Sequence, residues 1–360
     1  MLQFINRSAS MYHYQIPLIP SVSVATRLLS NRQGLLLRLQ AKDSNGDSCE
    51  GWGEISPLPG YSEEDLSHCQ MELITLALDW LTSDPQTDPQ PVSTHSFSMG
   101  CSNSTHTNTS ASTRFGFSCA CYELQHGPLA TLPGQHVTSY PLITSLSGSD
   151  QLLETPLMVN VGEPTSLKLK LARQPLLQEI EQVQQLLQYH PDLRLRIDCN
   201  QGWTFEQARQ FLALTPTASI EYLEEPCLDL EQTLQLAESS EVSVALDETL
   251  RLPQYAENPD SLPKHQAICA LVIKPSLTGS LDQVHTWIEL GKQRNLRTIL
   301  SSSYESSLAL SQIEALAQQW TPLEAPGLDT ADAFSVNLIR GGDPIKPTLP
   351  PEALECLWHS

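Results

Sequence analysis

A chain of 360 residues exceeds one minimal domain and is expected to hold either two modest domains or one large α/β domain with an attachment, with a sizeable core. Twenty Lys and Arg against 41 Asp and Glu leave a net charge of −21, which repels phosphate backbones and anionic headgroups and argues against nucleic-acid and membrane partners. No apolar run approaches the roughly 18 residues of a membrane span, and the first twenty residues lack a signal-type apolar stretch, so a cytoplasmic protein is expected. Nine cysteines without a CxxC pair point to buried reduced thiols, not to a disulfide framework or a zinc knuckle.

In chain order, residues 35–54 carry two apolar or alternating runs around a Ser-Asn-Gly-Asp turn, which predicts a hairpin in an α+β N-terminal third. Residues 101–113 are nearly all small and polar, and a mobile loop is expected there. The small-residue apolar run at 115–124 suits a packed helix, and the breakers Gly127, Pro128, Pro133 and Gly134 place a domain boundary between about 125 and 140. Beyond it, strand-like segments alternate with amphipathic ones: SLKLKL, LRLRID, IEYLEE, VSVALD, ALVIKP and RTILSSS. The helix expected at 174–190 gathers Leu176, Leu177, Ile180, Val183, Leu186 and Leu187 on one face. Each repeat is long enough for a right-handed crossover, so the strands should be parallel, and six or more such units predict an α/β barrel.

Ionisable residues end these strands: Lys168 and Lys170, then Asp198, Glu224, Asp247 and Lys274. The C-terminal strand ends of a βα barrel converge on one mouth, where active sites are built. A helix N-cap is the competing reading for each acid taken singly, but three carboxylates delivered together call for a divalent cation, and hard oxygen donors favour Mg²⁺. Lys168 and Lys170 are two apart on one strand face, and mutual repulsion should lower the pKa of one of them toward that of a general base. Asn200, two residues after Asp198, is placed for a supporting or substrate hydrogen bond. Glu225 and Glu248, next to two of the expected ligands, should be directed elsewhere.

The segments KLK (168–170), RIDCN (196–200), LEEPC (223–227), ALDET (245–249) and VIKPSLTGS (272–280) resemble the enolase superfamily, muconate-lactonising subgroup. EGWGEISPLPGYSEED (50–65), FGFSCACYEL, SSSYESSLALSQ (301–312) and PGLDT (326–330) closely resemble its dehydrating branch, which converts 2-succinyl-6-hydroxy-2,4-cyclohexadiene-1-carboxylate to o-succinylbenzoate in menaquinone biosynthesis. The resemblance implies a modified TIM barrel, (β/α)7β, over residues 131–335. It implies too an N-terminal α+β capping domain over 1–130, to which the tail from about 336 to 360 can return.

It further implies a Mg²⁺-dependent lyase, with Mn²⁺ as a substitute metal. Asp198, Glu224 and Asp247 would be the ligands, Lys170 the base and Lys274 an electrostatic stabiliser, with Lys168 and Asn200 in support. Arg27, Ser301 and Ser303 are the candidate contacts to a small anionic substrate, and segments 18–27 and 56–64 the loops that close over it. A monomer or small homo-oligomer is expected. The rival readings are a racemase of N-acylamino acids or a dipeptide epimerase of the same superfamily, and a catalytically silent barrel scaffold.

Overall fold

The structure is a computed structural model that describes residues 4–25, 27–83, 109–130, 142–143 and 166–360. It divides into two compact units. One comprises Met1–Val137, Lys274–Ile288 and Leu300–Ser360; the other comprises Thr138–Ile273 and Glu289–Ile299.

The first unit is built on an antiparallel sheet of β1 (Ile5–Val24), β2 (Arg27–Lys42) and β3 (Ser48–Ile55), with the C-terminal strand Glu355–His359 added beside β1. The β2–β3 hairpin closes where expected: the Asp43 carboxylate accepts the backbone N–H groups of Asn45 and Asp47, both at 2.9 Å, and Gly46 takes a positive φ of 88°. Leu35, Leu37 and Leu39 face one core with Leu73, Leu76 and Leu124 of helices α1 (Leu66–Thr82) and α2 (Ala111–His126). Leu36 faces a second core with Tyr14, Ile16, Trp52, Leu308 and Phe334. A continuous leucine run is what a strand covered on both faces requires.

Gly51 and Gly53 alternate with Trp52 and Glu54 and lie against α2 so closely that a Cβ on either would strike the Ala120 or Gly116 carbonyl. Two sequence segments that stood out separately, GWGE and FGFSCACYEL, are thus two sides of one contact.

Two expectations are corrected here. Segment 18–27 is not a loop: β1 runs on to Val24 and β2 begins at Arg27, because Val22, Val24 and Leu29 bury apolar side chains along a continuing hairpin. Of the small-residue segment, 101–108 lie outside the described residues, while Ser110 caps α2 and Ala111–Thr113 form its first turn. Ser110 and Ser112 hydroxyls reach the Glu72 and Glu64 carboxylates, which is how so polar a stretch is held.

The second unit holds parallel strands β4 (Leu142–Ile143), β5 (Ser166–Lys170), β6 (Arg194–Asp198), β7 (Ile220–Glu224), β8 (Val244–Leu246) and β9 (Ile268–Ile273). β10 (Arg297–Leu300) lies beside β9, giving the order β10-β9-β8-β7-β6-β5-β4. Helix α3 (Leu176–Tyr189) buries Ile180, Val183, Leu186 and Leu187 as expected, but Leu177 is 64% exposed. Its neighbour Glu179 is buried instead, accepting the N–H groups of Ala172, Arg173 and Gln174 at 2.8–3.0 Å and so tying down the turn that follows Lys170. The eight described cysteines are free thiols; five are buried, whereas Cys49 and Cys269 are half-buried and Cys356 is exposed.

A bulge shapes the inside of this sheet. Leu195 pairs with Ile220 and Arg196 with Tyr222, which leaves Glu221 as an extra residue in β7 and re-aims its side chain. Its carboxylate accepts two bonds from Arg196 of β6, at 2.9 and 3.0 Å, and one each from Ser166 of β5 and Arg297 of β10. Strands from both flanks of β7 reach one carboxylate only if the sheet curls, so this cluster marks the closing interior of a barrel.

Burial raises the Glu221 pKa, but the hydrogen bonds and charge of Arg196, then of Arg297, outweigh it and bring the group to about 2 from 4.5. A depressed carboxyl contributes stability above its unfolded pKa and loses it as pH falls through the folded value; the full effect here is about 3 kcal/mol. Glu221→Gln is therefore expected to lower unfolding stability by about 2–3 kcal/mol at pH 7, with the gap to the parent protein closing between pH 4.5 and 2. Urea unfolding across that range checks it, and a pH-independent gap would refute the assignment.

Candidate active site

Strand register assembles the site. Lys170, Asp198 and Glu224 pair across β5, β6 and β7 as one row, with Lys168, Arg196 and Tyr222 as the row below. The intervening Leu167, Leu169, Leu195, Ile197 and Leu223 point to the opposite face and are fully buried. The Lys168 ammonium donates to both Glu224 carboxylate oxygens at 2.8 Å and lies 3.2 Å from Asp198 Oδ2, and Lys170 Nζ is 3.6 Å from the same Asp198 oxygen. Burial alone would lower the Lys168 pKa, but the charges of Asp198 and then Glu224 win, and the group is held well above the ordinary lysine range. The expected depression by the neighbouring lysine is not what Lys168 experiences, because two carboxylates stand closer to it than any competing ammonium effect can offset.

Asp247 follows β8 and is buried, as are Asp198 and Glu224. The turns around these acids are shaped by strained backbone: Asn200, Gln201 and Glu225 all have positive φ, between 43° and 59°. Asn200 Nδ2 donates to Glu248 Oε1 at 3.1 Å, and the Asn200 N–H donates to Asp198 Oδ1 at 3.2 Å, so Asn200 links the end of β6 to the residue after Asp247. Glu225 faces away from Lys168: it accepts the Asp247 N–H at 2.8 Å and the Thr249 N–H at 2.7 Å. Burial pushes its carboxyl up in pKa against these bonds.

The remaining candidates lie in the first unit. Lys274 follows β9 directly and begins the helical turn Pro275–Thr278; its ammonium is 5.8 Å from the centre of the Tyr61 ring. Leu277 of that turn packs with Val24 and Leu58, so the hairpin tip, segment 56–64 and the Lys274 turn share one apolar cluster. Arg27 is exposed at the start of β2 and is not drawn into that cluster. Ser301 Oγ bonds the Gly327 carbonyl at 3.1 Å, whereas Ser303 Oγ is buried without a hydrogen-bond partner.

Two residues with no signal in the sequence hold this region. The buried Arg32 guanidinium donates to the carbonyls of Ser56, Pro57 and Tyr304. Glu305 accepts from Ser276 Oγ and from the Ser303 N–H, joining the turn after Lys274 to the serine run. An isolated Arg in a strand and a Glu in a serine-rich loop read as surface residues until their surroundings are known.

Among the described residues, no group of three or more His, Cys, Asp or Glu side chains is arranged so as to hold a metal ion. Asp198 and Glu224 converge instead on the Lys168 ammonium, which puts positive charge between them. The donor set nevertheless fits a hard divalent cation in kind: three buried carboxylates from successive strand ends. No helix among the described residues is long and apolar enough to cross a membrane.

Comparison with known proteins agrees with the architecture. Residues 158–324 match the family described as "Enolase C-terminal domain-like" and residues 6–106 match "MenC, N-terminal domain". Similar solved structures are o-succinylbenzoate synthase from Thermosynechococcus elongatus BP-1, described as complexed with magnesium in the active site, and MenC from Desulfotalea psychrophila LSv54. The first has a TM-score of 0.63 at 24% identity over 91% of this chain and 93% of that one. The second has a TM-score of 0.73 at 21% identity over 93% and 96%. The fold is accordingly the modified TIM barrel with an N-terminal α+β domain of the enolase superfamily. The o-succinylbenzoate synthase of Escherichia coli (strain SMS-3-5 / SECEC) is 34% identical over 98% of this chain and 99% of its own length. The chain belongs to the o-succinylbenzoate synthase family.

Removing Lys168 leaves two buried carboxylates without the ammonium that bridges them, a loss of about 3–5 kcal/mol. Lys168→Met is expected to lower the unfolding free energy measured by urea denaturation by that amount at pH 7. A loss under about 1 kcal/mol would count against the ion cluster.

Proposed function

We propose that this protein is a Mg²⁺-dependent lyase that dehydrates 2-succinyl-6-hydroxy-2,4-cyclohexadiene-1-carboxylate to o-succinylbenzoate in the cytoplasm. The reading is carried by the similarity to o-succinylbenzoate synthases over nearly the whole chain. We assign the catalytic barrel to 131–335 and the N-terminal domain to 1–130, with the tail 336–360 joining it through the pairing of Glu355–His359 with β1.

In this reading Asp198, Glu224 and Asp247 hold the cation, which when bound supplies Lewis-acid stabilisation of the substrate carboxylate. Lys170 takes the proton α to that carboxylate, and the electron pair is held as an enediolate. Lys170 then returns the proton to the hydroxyl leaving from the same face, so that one water departs and the ring becomes aromatic. What supports Lys170 over Lys168 as base is the engagement of Lys168: it is bound to both Glu224 oxygens and held protonated by its two carboxylate neighbours.

Lys274 contributes a fixed positive charge against the enediolate. The packing of Leu277, from the turn that Lys274 begins, against Leu58 and Tyr61 supports a role for segment 56–64 in enclosing the substrate. Ser303, whose buried hydroxyl has no protein partner, is favoured over Ser301 and the exposed Arg27 as a contact to the substrate.

Lys170→Ala should reduce dehydration at least 10²- to 10⁴-fold, and Lys170→Arg should recover little because a guanidinium does not act as a base near neutral pH. Lys274→Arg should recover more than Lys274→Ala because it keeps the charge. Dehydration rate and solvent deuterium exchange at the α carbon, measured in all four variants, test this. Exchange that needs Lys274 as its base, or equal rescue by arginine at both positions, would move the assignment to a two-base racemase. Removal of divalent cations by EDTA should abolish turnover and added Mg²⁺ should restore it; activity that survives chelation would refute the metal requirement.

A further inference from the structure

One carboxylate in the second unit is bound to the turns that follow both strands beside its own. Glu225 follows β7, and its Oε1 accepts the N–H groups of Asp247 and Thr249, at 2.8 and 2.7 Å, from the turn after β8. Its Oε2 accepts the Thr249 hydroxyl at 3.0 Å and Gln201 Nε2, also at 3.0 Å, from the turn after β6. The Gln201 N–H in addition donates to the Glu225 carbonyl at 2.7 Å, and the Glu225 N–H to that of Ala245 at 3.1 Å. Each carboxylate oxygen thus accepts two bonds. Only an acceptor without hydrogens satisfies all four donors.

The residues so tied are the immediate neighbours of the acids that end the strands. Gln201 lies three residues after Asp198, Glu225 next to Glu224, and Asp247 is itself held by its backbone N–H. The positive φ of Gln201, 59°, and of Glu225, 44°, is backbone that persists only where surrounding bonds enforce it. The cost of ordering these turns is therefore met within the folded chain, before any ligand arrives.

We infer that Glu225 is a positioning residue, whose carboxylate pre-sets the turns carrying Asp198, Glu224 and Asp247 for a divalent cation without binding that cation itself. This rests on the metal site proposed above. A purely structural buried carboxylate would affect unfolding alone; a positioning one governs how tightly a cation is held, since the ligands then have to be ordered at the moment of binding.

The test is calorimetric titration of Mg²⁺ alone into the metal-free full-length protein and its variants, with thermal unfolding of each metal-free variant alongside. Glu225→Gln keeps size and one acceptor oxygen but turns donor hydrogens toward Gln201 and Thr249. It should raise the Mg²⁺ dissociation constant about 10- to 100-fold, the range seen when groups that orient ligands are removed. Gln201→Ala and Thr249→Val each delete one bond to Oε2 and should raise it by a few-fold, which keeps the inference testable if Glu225→Gln does not fold. Saturating Mg²⁺ should return the dehydration rate of Glu225→Gln to within a few-fold of the parent.

Binding abolished by Asp198→Asn but unchanged within twofold in Glu225→Gln, or in both single-bond variants where Glu225→Gln does not fold, would overturn the positioning role and leave the metal site standing. Asp198→Asn and Asp247→Asn that bind as the parent does would overturn the metal site, and this inference with it.

Discussion

The ammonium of Lys168, set between Asp198 and Glu224, is the interaction on which the rest of the proposed site depends. Two buried carboxylates in adjacent strands repel one another, and the row register of β5, β6 and β7 leaves them no way to part. A lysine one row below reaches up to both, and the pair of opposing effects on its pKa states the balance: burial disfavours its charge, but the two acids favour it more. The same ion pairs explain why Lys168 and Lys170, equivalent in sequence and on the same strand face, are chemically unlike. Lys168 is bonded to both Glu224 oxygens, whereas the Lys170 ammonium lies 3.6 Å from Asp198 Oδ2.

A second device recurs through both units: a buried carboxylate used to satisfy backbone N–H groups at a turn. Glu179 does so for the turn after β5 and Glu225 for the turn after β8. In the first unit Glu54 accepts from the Ser306 N–H, Glu123 from Trp52 and Leu129, and Glu305 from Ser303. Loops that carry function cannot bury apolar side chains at every position, and their N–H groups still need partners once water is excluded. An acidic side chain from a neighbouring element meets that need and fixes the loop. The large acidic excess of the composition is thus partly an internal resource and not only a surface property.

Close backbone contact plays the corresponding role in the apolar part of the first unit. Gly51 and Gly53 let α2 approach β3 until carbonyls of the helix lie where side chains would otherwise stand, and Gly116 returns the favour from the helix. This allows Trp52 and Glu54 to present their side chains on the far face, where Glu54 takes the Tyr14 hydroxyl and the cap of the helix beginning at Ser307. Packing on one face of the strand and polar organisation on the other are therefore set by the same alternation.

What could be read without the structure was whatever depends on short-range periodicity. The hairpin at 35–54, the parallel βα repeat, the strand-terminal acids and lysines and the face shared by Lys168 and Lys170 follow from alternation, turn chemistry and spacing within about thirty residues. Tertiary structure alone decided the rest, because it depends on which groups meet across the fold. The sign of the Lys168 shift came from carboxylates on the next two strands, Asp198 and Glu224, the second of them 56 residues away along the chain, not from the lysine next to it. The bulge at Glu221 broke the strict alternation of a strand and made this residue the hub of the barrel interior. Leu177 lost its place on the buried face of α3 to Glu179, whose hydrogen bonds to three N–H groups a hydrophobic pattern does not count. Arg32 and Glu305 carry no such mark: a buried charge is identified by its partners, and partners 272 residues away for Arg32 and 29 for Glu305 are known only once the chain has folded.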